Sequence, residues 1–217
     1  MQALDHPNIV KCYGYHESGE FIYIVMELML GGSLKNIMKR IGTGLTEDII
    51  QDYLRQILSA LKYIHEDLPT HVYHRDLKCD NFLLSAGAIK LADFGEAKVI
   101  NRGETFSQTK NNVVGTLTFC SPEMLRGDGA ISKRSHAPDI WSLGMVIMEM
   151  IYGYNILERE FKKSITSESS EDSDALYSEY RLIDYILKNL HTLKETTIPN
   201  LPVSAELKDL ISQCLTE

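Results

Sequence analysis

The chain has 217 residues, 44% of them hydrophobic, which is enough to fill a core of ordinary size in one large domain or two small ones. A net charge of −8 argues against a general affinity for nucleic acid or anionic membrane, because both need a basic surface to recruit phosphate. Cys12, Cys79, Cys120 and Cys214 are scattered with no Cys-x-x-Cys pair, so neither a zinc knuckle nor a disulfide framework is indicated and a reducing, cytoplasmic setting is expected.

The opening "MQALDHPNIV" has no basic or apolar region of the secretory kind. Two strand-prone runs follow, "IVKCYGY" (9–15) and "FIYIVMEL" (21–28), separated by the polar "HESGE", which predicts a hairpin. "GGS" then reads as a flexible joint with Ser33 as helix cap. Leu34, Ile37, Met38 and Ile41 recur at helical spacing after it, with Gly42 as the stop. Thr46 opens a longer helix in which Ile50, Tyr53, Leu54, Ile57, Leu61 and Ile64 form the strongest period in the chain, so this helix is expected in the core.

"FLLS" and "IKLAD" around Ala86, Gly87 and Ala88 predict a second hairpin that sets Asn81 and Asp93 near its open ends. Residues 99–118 read as a long polar loop. The apolar run 140–152 is too short and too interrupted to span a bilayer and reads as a buried helix. Between 159 and 180 the Ser, Glu and Asp content cannot bury a face, and its centre, 166–174, is expected to be a solvated flexible insert whose Ser167, Ser169, Ser170 and Ser173 are candidate phosphoacceptors. Amphipathic helices resume at 180–190 and 204–215. His71 and His191 lie in polar surroundings and read as exposed.

The chemistry concentrates in "VYHRDLKCDNFLLSAGAIKLADFGEAK" (72–98). A hard magnesium ion takes carboxylate, amide and phosphate oxygens, and Asp93 with Asn81 supplies the first two kinds. Asp76 is then free to accept a hydroxyl proton, while Lys78 neutralises charge building on a transferred phosphoryl group.

"HRDLKCDN", "DFG", "GTLTFCSPE" and "PDIWSLG", in that order, resemble the catalytic loop, metal loop, substrate-docking segment and anchoring helix of the eukaryotic protein kinases. The resemblance covers nearly the whole chain and implies an α+β protein-kinase-like fold. Residues 1–28 would be a remnant of the β-rich N-terminal lobe, and 29–217 a mostly helical C-terminal lobe carrying the insert near 166–174. It implies Asp76 as base, Lys78 as the phosphate-facing lysine and Asn81 and Asp93 as metal ligands for Mg-ATP. It further implies Arg75 as partner of a phosphorylated loop residue, and Asp139 as the carboxylate orienting the catalytic loop. "IVMEL" resembles the hinge, making Met26 the gatekeeper, Glu27 C=O and Met29 N–H the adenine partners and Leu83 the floor beneath the ring. Ordinary core packing is the alternative for Met26 and Leu83. His74, Phe94 and Cys12 match the apolar column that joins the lobes.

Lys78 and Thr116 in "GTLTF" are similar to the serine/threonine class, and "HPNIVKCYGY", "GGSL" and "DFGEAK" to the mitogen-activated kinase kinase kinases. The implied partners are a protein substrate and an upstream activating kinase acting at Thr105, Ser107 or Thr109, since Asn112 stands where many relatives carry the phosphothreonine. Two features depart from the family. No G-x-G-x-x-G or V-A-x-K precedes the hinge, and the arginine that would partner Glu123 does not appear, so the reading expects a domain truncated at both ends. A pseudokinase or interaction module, and more remotely another nucleotide-dependent transferase, are the alternatives.

Overall fold

The structure is a computed structural model that describes residues 4–101, 116–127, 136–166 and 175–216. β1 (Cys12–Ser18) and β2 (Phe21–Met26) form an antiparallel hairpin registered from Cys12↔Met26 to Ser18↔Phe21. The first strand lies further along than the run 9–15, and "HESGE" is mostly strand. The reason is that Ile9 and Val10 belong to the core: both are 2% exposed, and Val10 N–H donates to Leu91 C=O at 2.9 Å. The hairpin itself is open on both faces, with Phe21 68%, Ile22 67% and Ile24 50% exposed.

"GGS" is not a free joint. Gly31 N–H donates to Leu84 C=O at 2.8 Å, and Gly32–Ser33 form a short strand, β3. Ser33 Oγ accepts the Asn36 N–H at 3.2 Å and so caps α1 (Leu34–Ile41), which Gly42 ends in the left-handed conformation. α2 (Glu47–Lys62) buries Ile50, Leu54, Ile57, Ala60 and Leu61, the periodic face of the sequence. Each of these Ile and Leu side chains contributes about 1.5–3 kcal/mol by leaving water. The helix ends in a π turn, Tyr63–Asp67, that carries Ile64 and His65 inward.

β4 (Thr70–Tyr73) follows. β5 (Phe82–Ser85) and β6 (Ala88–Leu91) make the second hairpin, turned by Ala86 and Gly87 at φ 49° and 83°; β3 adds to it in the order β3-β5-β6. The predicted loop 99–118 begins as strand instead: β7 (Lys98–Asn101) pairs with β4 from Thr70↔Asn101 to Tyr73↔Lys98. That pairing draws His71 in as well. It is half-buried, and its Nδ1 bonds the His65 C=O.

After a 3₁₀ turn at Leu117–Phe119 come α3 (Pro122–Arg126), α4 (Ala137–Tyr152), α5 (Ile156–Thr166), α6 (Ala175–Thr192) and α7 (Ala205–Cys214). The acidic stretch is therefore flanked by helix further in on both sides than expected; residues 167–174 themselves lie outside the described residues. α4 is the centre of the core, with Leu143, Met145, Val146, Ile147, Met148 and Met150 at most 1% exposed. The loop before α2 packs directly on its end. Leu45 N–H donates to Met150 C=O at 2.8 Å, and a Cβ on Gly44 would meet the Ile151 oxygen at 1.9 Å. Among the described residues no single helix is long and apolar enough to cross a membrane.

Candidate active site

The loop from β4 to β5 holds Asp76, Lys78 and Asn81, and its shape is set from below by α4. Asp139 lies in the first turn of α4, 1% exposed. One carboxylate oxygen accepts the Arg75 N–H at 2.7 Å; the other accepts the His74 N–H at 2.9 Å and bonds His65 Nε2 at 2.7 Å. Arg75 is in the left-handed region, φ 66°, a conformation that costs a residue with a Cβ roughly 1–2 kcal/mol. The bond to Asp139 holds it there. Burial pulls the Asp139 carboxyl upward, but His65, His74 and the Arg75 amide outweigh it and leave the group below its ordinary value.

His74 is fully buried and makes two bonds that require opposite ring nitrogens. Nε2 faces the Ala92 C=O at 3.0 Å, so it carries the proton, and Nδ1 accepts the Asp76 N–H at 3.3 Å. A second proton would aim one N–H at another. Burial, the largest cause, accordingly lowers the His74 pKa. Its ring also meets Phe94 edge-on at 4.9 Å. Cys12 is half-buried and faces Met26 across the hairpin.

Asp76, Lys78, Asn81 and Thr116 converge. Lys78 Nζ donates to Asp76 Oδ2 at 2.6 Å and to Thr116 Oγ1 at 3.0 Å, while Thr116 donates its N–H and its hydroxyl to Asp76 Oδ1 at 3.0 and 3.1 Å. Asn81 Nδ2 reaches the Asp76 C=O at 2.8 Å and Oδ2 at 3.2 Å. Burial raises the Asp76 pKa, but Lys78 and then Thr116 prevail, and the net shift is downward, so the carboxylate is ionised at neutral pH. Asp93 stands apart from this cluster. It also has positive φ, 59°, and its Oδ1 accepts the Gly95 N–H at 3.2 Å; the neighbouring Ala92 N–H donates to Asn81 C=O at 2.8 Å, which sets the two loops side by side.

The donor set suits magnesium held together with phosphate. Asn81 spends its amide N–H on Asp76, leaving Oδ1 for a hard cation, and Asp93 supplies a carboxylate. Among the described residues no three His, Cys, Asp or Glu gather around a point; a magnesium ion would take one or two carboxylates and fill its shell with phosphate and water oxygens. At the other edge Glu27 is ion-paired to Lys90 at 2.6 Å, while its C=O and the Met29 N–H make no hydrogen bond among the described residues. Met26 is 43% exposed and Leu83 half-buried, so neither is a core residue in this chain.

Two anchoring groups were not read from the sequence. His65 follows the helical period of α2 directly and gives no signal of its own; the π turn points it at Asp139. Glu149, on the apolar face of α4, bonds Lys35 at 2.7 Å. Thr105, Ser107, Thr109 and Asn112 lie outside the described residues.

A helical domain that presents a carboxylate, a lysine and an amide on one short loop, with a second carboxylate on the next hairpin, has the build of a phosphoryl-transfer domain. The family model described as protein kinase domain matches residues 1–217, and the chain belongs to that family. It is 32% identical to mitogen-activated protein kinase kinase 1 of Arabidopsis thaliana over 96% of the chain and 52% of that protein. Over 69% of the chain it is 40% identical to mitogen-activated protein kinase kinase kinase 3 of the same plant, covering 23% of it, and over 71% it is 39% identical to a probable serine/threonine-protein kinase of Dictyostelium discoideum, again covering 23%. The chain thus spans about half or less of the length of these relatives.

Proposed function

We propose that the chain is the substrate-side part of a cytoplasmic serine/threonine kinase that moves the γ-phosphoryl group of ATP to a protein hydroxyl. The observation that carries this reading is the Thr116 hydroxyl, which donates to Asp76 and accepts from Lys78. An acceptor serine or threonine bound beside it finds the same two groups. Asp76 takes the hydroxyl proton as the new O–P bond forms, and the electron pair of the broken O–P bond leaves with ADP. Lys78 neutralises charge on the moving group. Asn81 and Asp93 hold magnesium, which when bound lowers the charge on the phosphates. Glu27 C=O and Met29 N–H receive adenine, with Met26 and Leu83 beside the ring.

Because the 217 residues contain no glycine-rich phosphate loop, their own hold on ATP is weak. Each charge-assisted bond to phosphate is worth about 1.5–3 kcal/mol, against about 8 for a micromolar site. The alternative reading is a kinase-fold interaction module that docks partners without phosphoryl transfer. The deciding assay uses protein expressed from the complete coding sequence, with labelled Mg-ATP and a serine peptide. Asp76→Asn should reduce transfer by about a hundred- to ten-thousandfold with ATP binding nearly intact, as removal of a base does, whereas Asp93→Asn should weaken both. Transfer that survives Asp76→Asn sinks the assignment, and no transfer by the unaltered protein supports the interaction module.

A further inference from the structure

Beside the catalytic loop, between α1 and the start of α5, the surface opens into a groove of 530 Å³. It adjoins the loop directly, since Lys35 N–H donates to Cys79 C=O at 3.1 Å. In a chain of net charge −8 this groove is unusual in being lined by Lys35, Lys39, Arg159, Lys162 and Lys163. Three of the five are matched by carboxylates: Lys35 by Glu149 at 2.7 Å, Lys162 by Glu158 and Lys163 by Glu160, both at 2.5 Å. Lys39 and Arg159 make no ion pair among the described residues. Arg159 lies over the Tyr154 ring at 4.2 Å, which fixes the guanidinium without neutralising it.

Lys35 lines the groove, and its ammonium stands 2.7 Å from Glu149, a residue outside the lining. Glu149 is 1% exposed and pairs with the Lys35 ammonium, its one ion-pair partner among the described residues, so the pair leaves no net negative charge beside the groove. The pairing is one of charge, since both Glu149 oxygens are buried without a hydrogen-bond partner among the described residues, and the groove presents Lys39 and Arg159 to whatever enters. The 75° bend between α4 and α5 keeps it open toward solvent, with Asn155 Oδ1 accepting the Glu158 N–H at 3.0 Å to start α5.

We infer that this groove receives an acidic segment of the protein substrate, aspartate, glutamate or phosphorylated side chains flanking the acceptor hydroxyl, and that Lys35, by capping Glu149, is the residue that excludes basic segments. Only the word substrate rests on the kinase reading; the recognition does not. Two exposed charge pairs of ordinary strength give about a fivefold preference, and screening should erase most of it in concentrated salt.

The test uses the full chain without nucleotide and three fluorescein-labelled alanine-based peptides, each with one central serine and four glutamates, four glutamines or four lysines. Fluorescence anisotropy should rank glutamate tightest by about fivefold at about 0.05 M salt, with little difference left at about 0.5 M. The Lys39→Glu, Arg159→Glu double variant should lose the preference, and Lys35→Met should shift it toward the lysine peptide. Equal binding of all three peptides, or an unchanged preference in the double variant, overturns the inference. So does equal competition by a single-stranded oligonucleotide of matched charge, which marks a general polyanion surface. Both variants are checked for an unaltered circular dichroism spectrum, and Lys39→Gln with Arg159→Gln serves as the milder pair should charge reversal unfold the chain. If the preference holds while Asp76-dependent transfer is absent, the groove stands and the kinase reading falls.

Discussion

Replacing Asp139 with asparagine keeps its size and removes its charge, which isolates what the carboxylate does. The carboxylate serves three donors: Arg75 N–H at 2.7 Å, His74 N–H at 2.9 Å and His65 Nε2 at 2.7 Å. An amide has one acceptor oxygen. In its better orientation it keeps His65 and His74 as neutral bonds, each weaker by about 1 kcal/mol, and turns an N–H₂ toward Arg75, losing a bond of about 1.5–3 kcal/mol. The total is about 4 kcal/mol, in the range for breaking a buried charge network and a large part of the roughly 5–15 kcal/mol that holds a domain folded. The urea midpoint should fall by about 1.5 M for a denaturant slope of ordinary size. The effect should also be local, because Arg75 at φ 66° loses the bond that offsets its strain. Amide exchange at His74 and Arg75 should then quicken by about a thousandfold, the factor that 4 kcal/mol represents. A midpoint within about 0.3 M of the parent, with exchange at these two amides unchanged, would refute the claim that Asp139 shapes the loop.

Gly44→Ala places a Cβ 1.9 Å from the Ile151 oxygen, a backbone atom that cannot swing away; a loss of about 3 kcal/mol and about 9 °C in melting temperature is expected by calorimetry, and an unaltered melting temperature would contradict the close approach. His74, held neutral, refuses a proton that the unfolded chain accepts below about pH 6.5. Its contribution to stability is therefore complete above that pH and is lost as pH falls, by at most about 1.4 kcal/mol per unit. Denaturant titrations from pH 7.5 to 5.5 should show a slope that His74→Gln reduces by about one proton, and equal slopes would mean that the ring is charged in the fold. Ile22→Glu with Ile24→Lys, on the open hairpin, should alter the unfolding free energy by no more than about 0.5 kcal/mol while lowering light scattering at high concentration; a large loss of stability would show that the hairpin is packed.

Much of the molecule could be read from local order in the chain. The caps Ser33 and Gly42, the face Ile50-Leu54-Ile57-Leu61 and the apolar run within α4 each express a preference within a few turns of one helix, which is where periodicity and capping act. The Ala86-Gly87 turn is local too, and through it the separation of Asn81 and Asp93 in sequence became adjacency of their loops. β4 and β7 escaped, because a four-residue strand is defined by its partner and here the partner lies on the far side of the catalytic loop.

The spacing of Asp76, Lys78 and Asn81 was legible because all three belong to one tight loop; what holds that loop was legible only in part. Asp139 and Thr116 stood out by resemblance, but the left-handed Arg75, the π turn that aims His65 and the tautomer of His74 arise from contacts between distant segments. The sign of the neighbouring groove has the same origin. Lys35 on α1 and Glu149 on α4 carry no mark in sequence, and only when the two helices pack does one charge cancel the other, since a buried ion needs a partner whose position the tertiary fold alone decides.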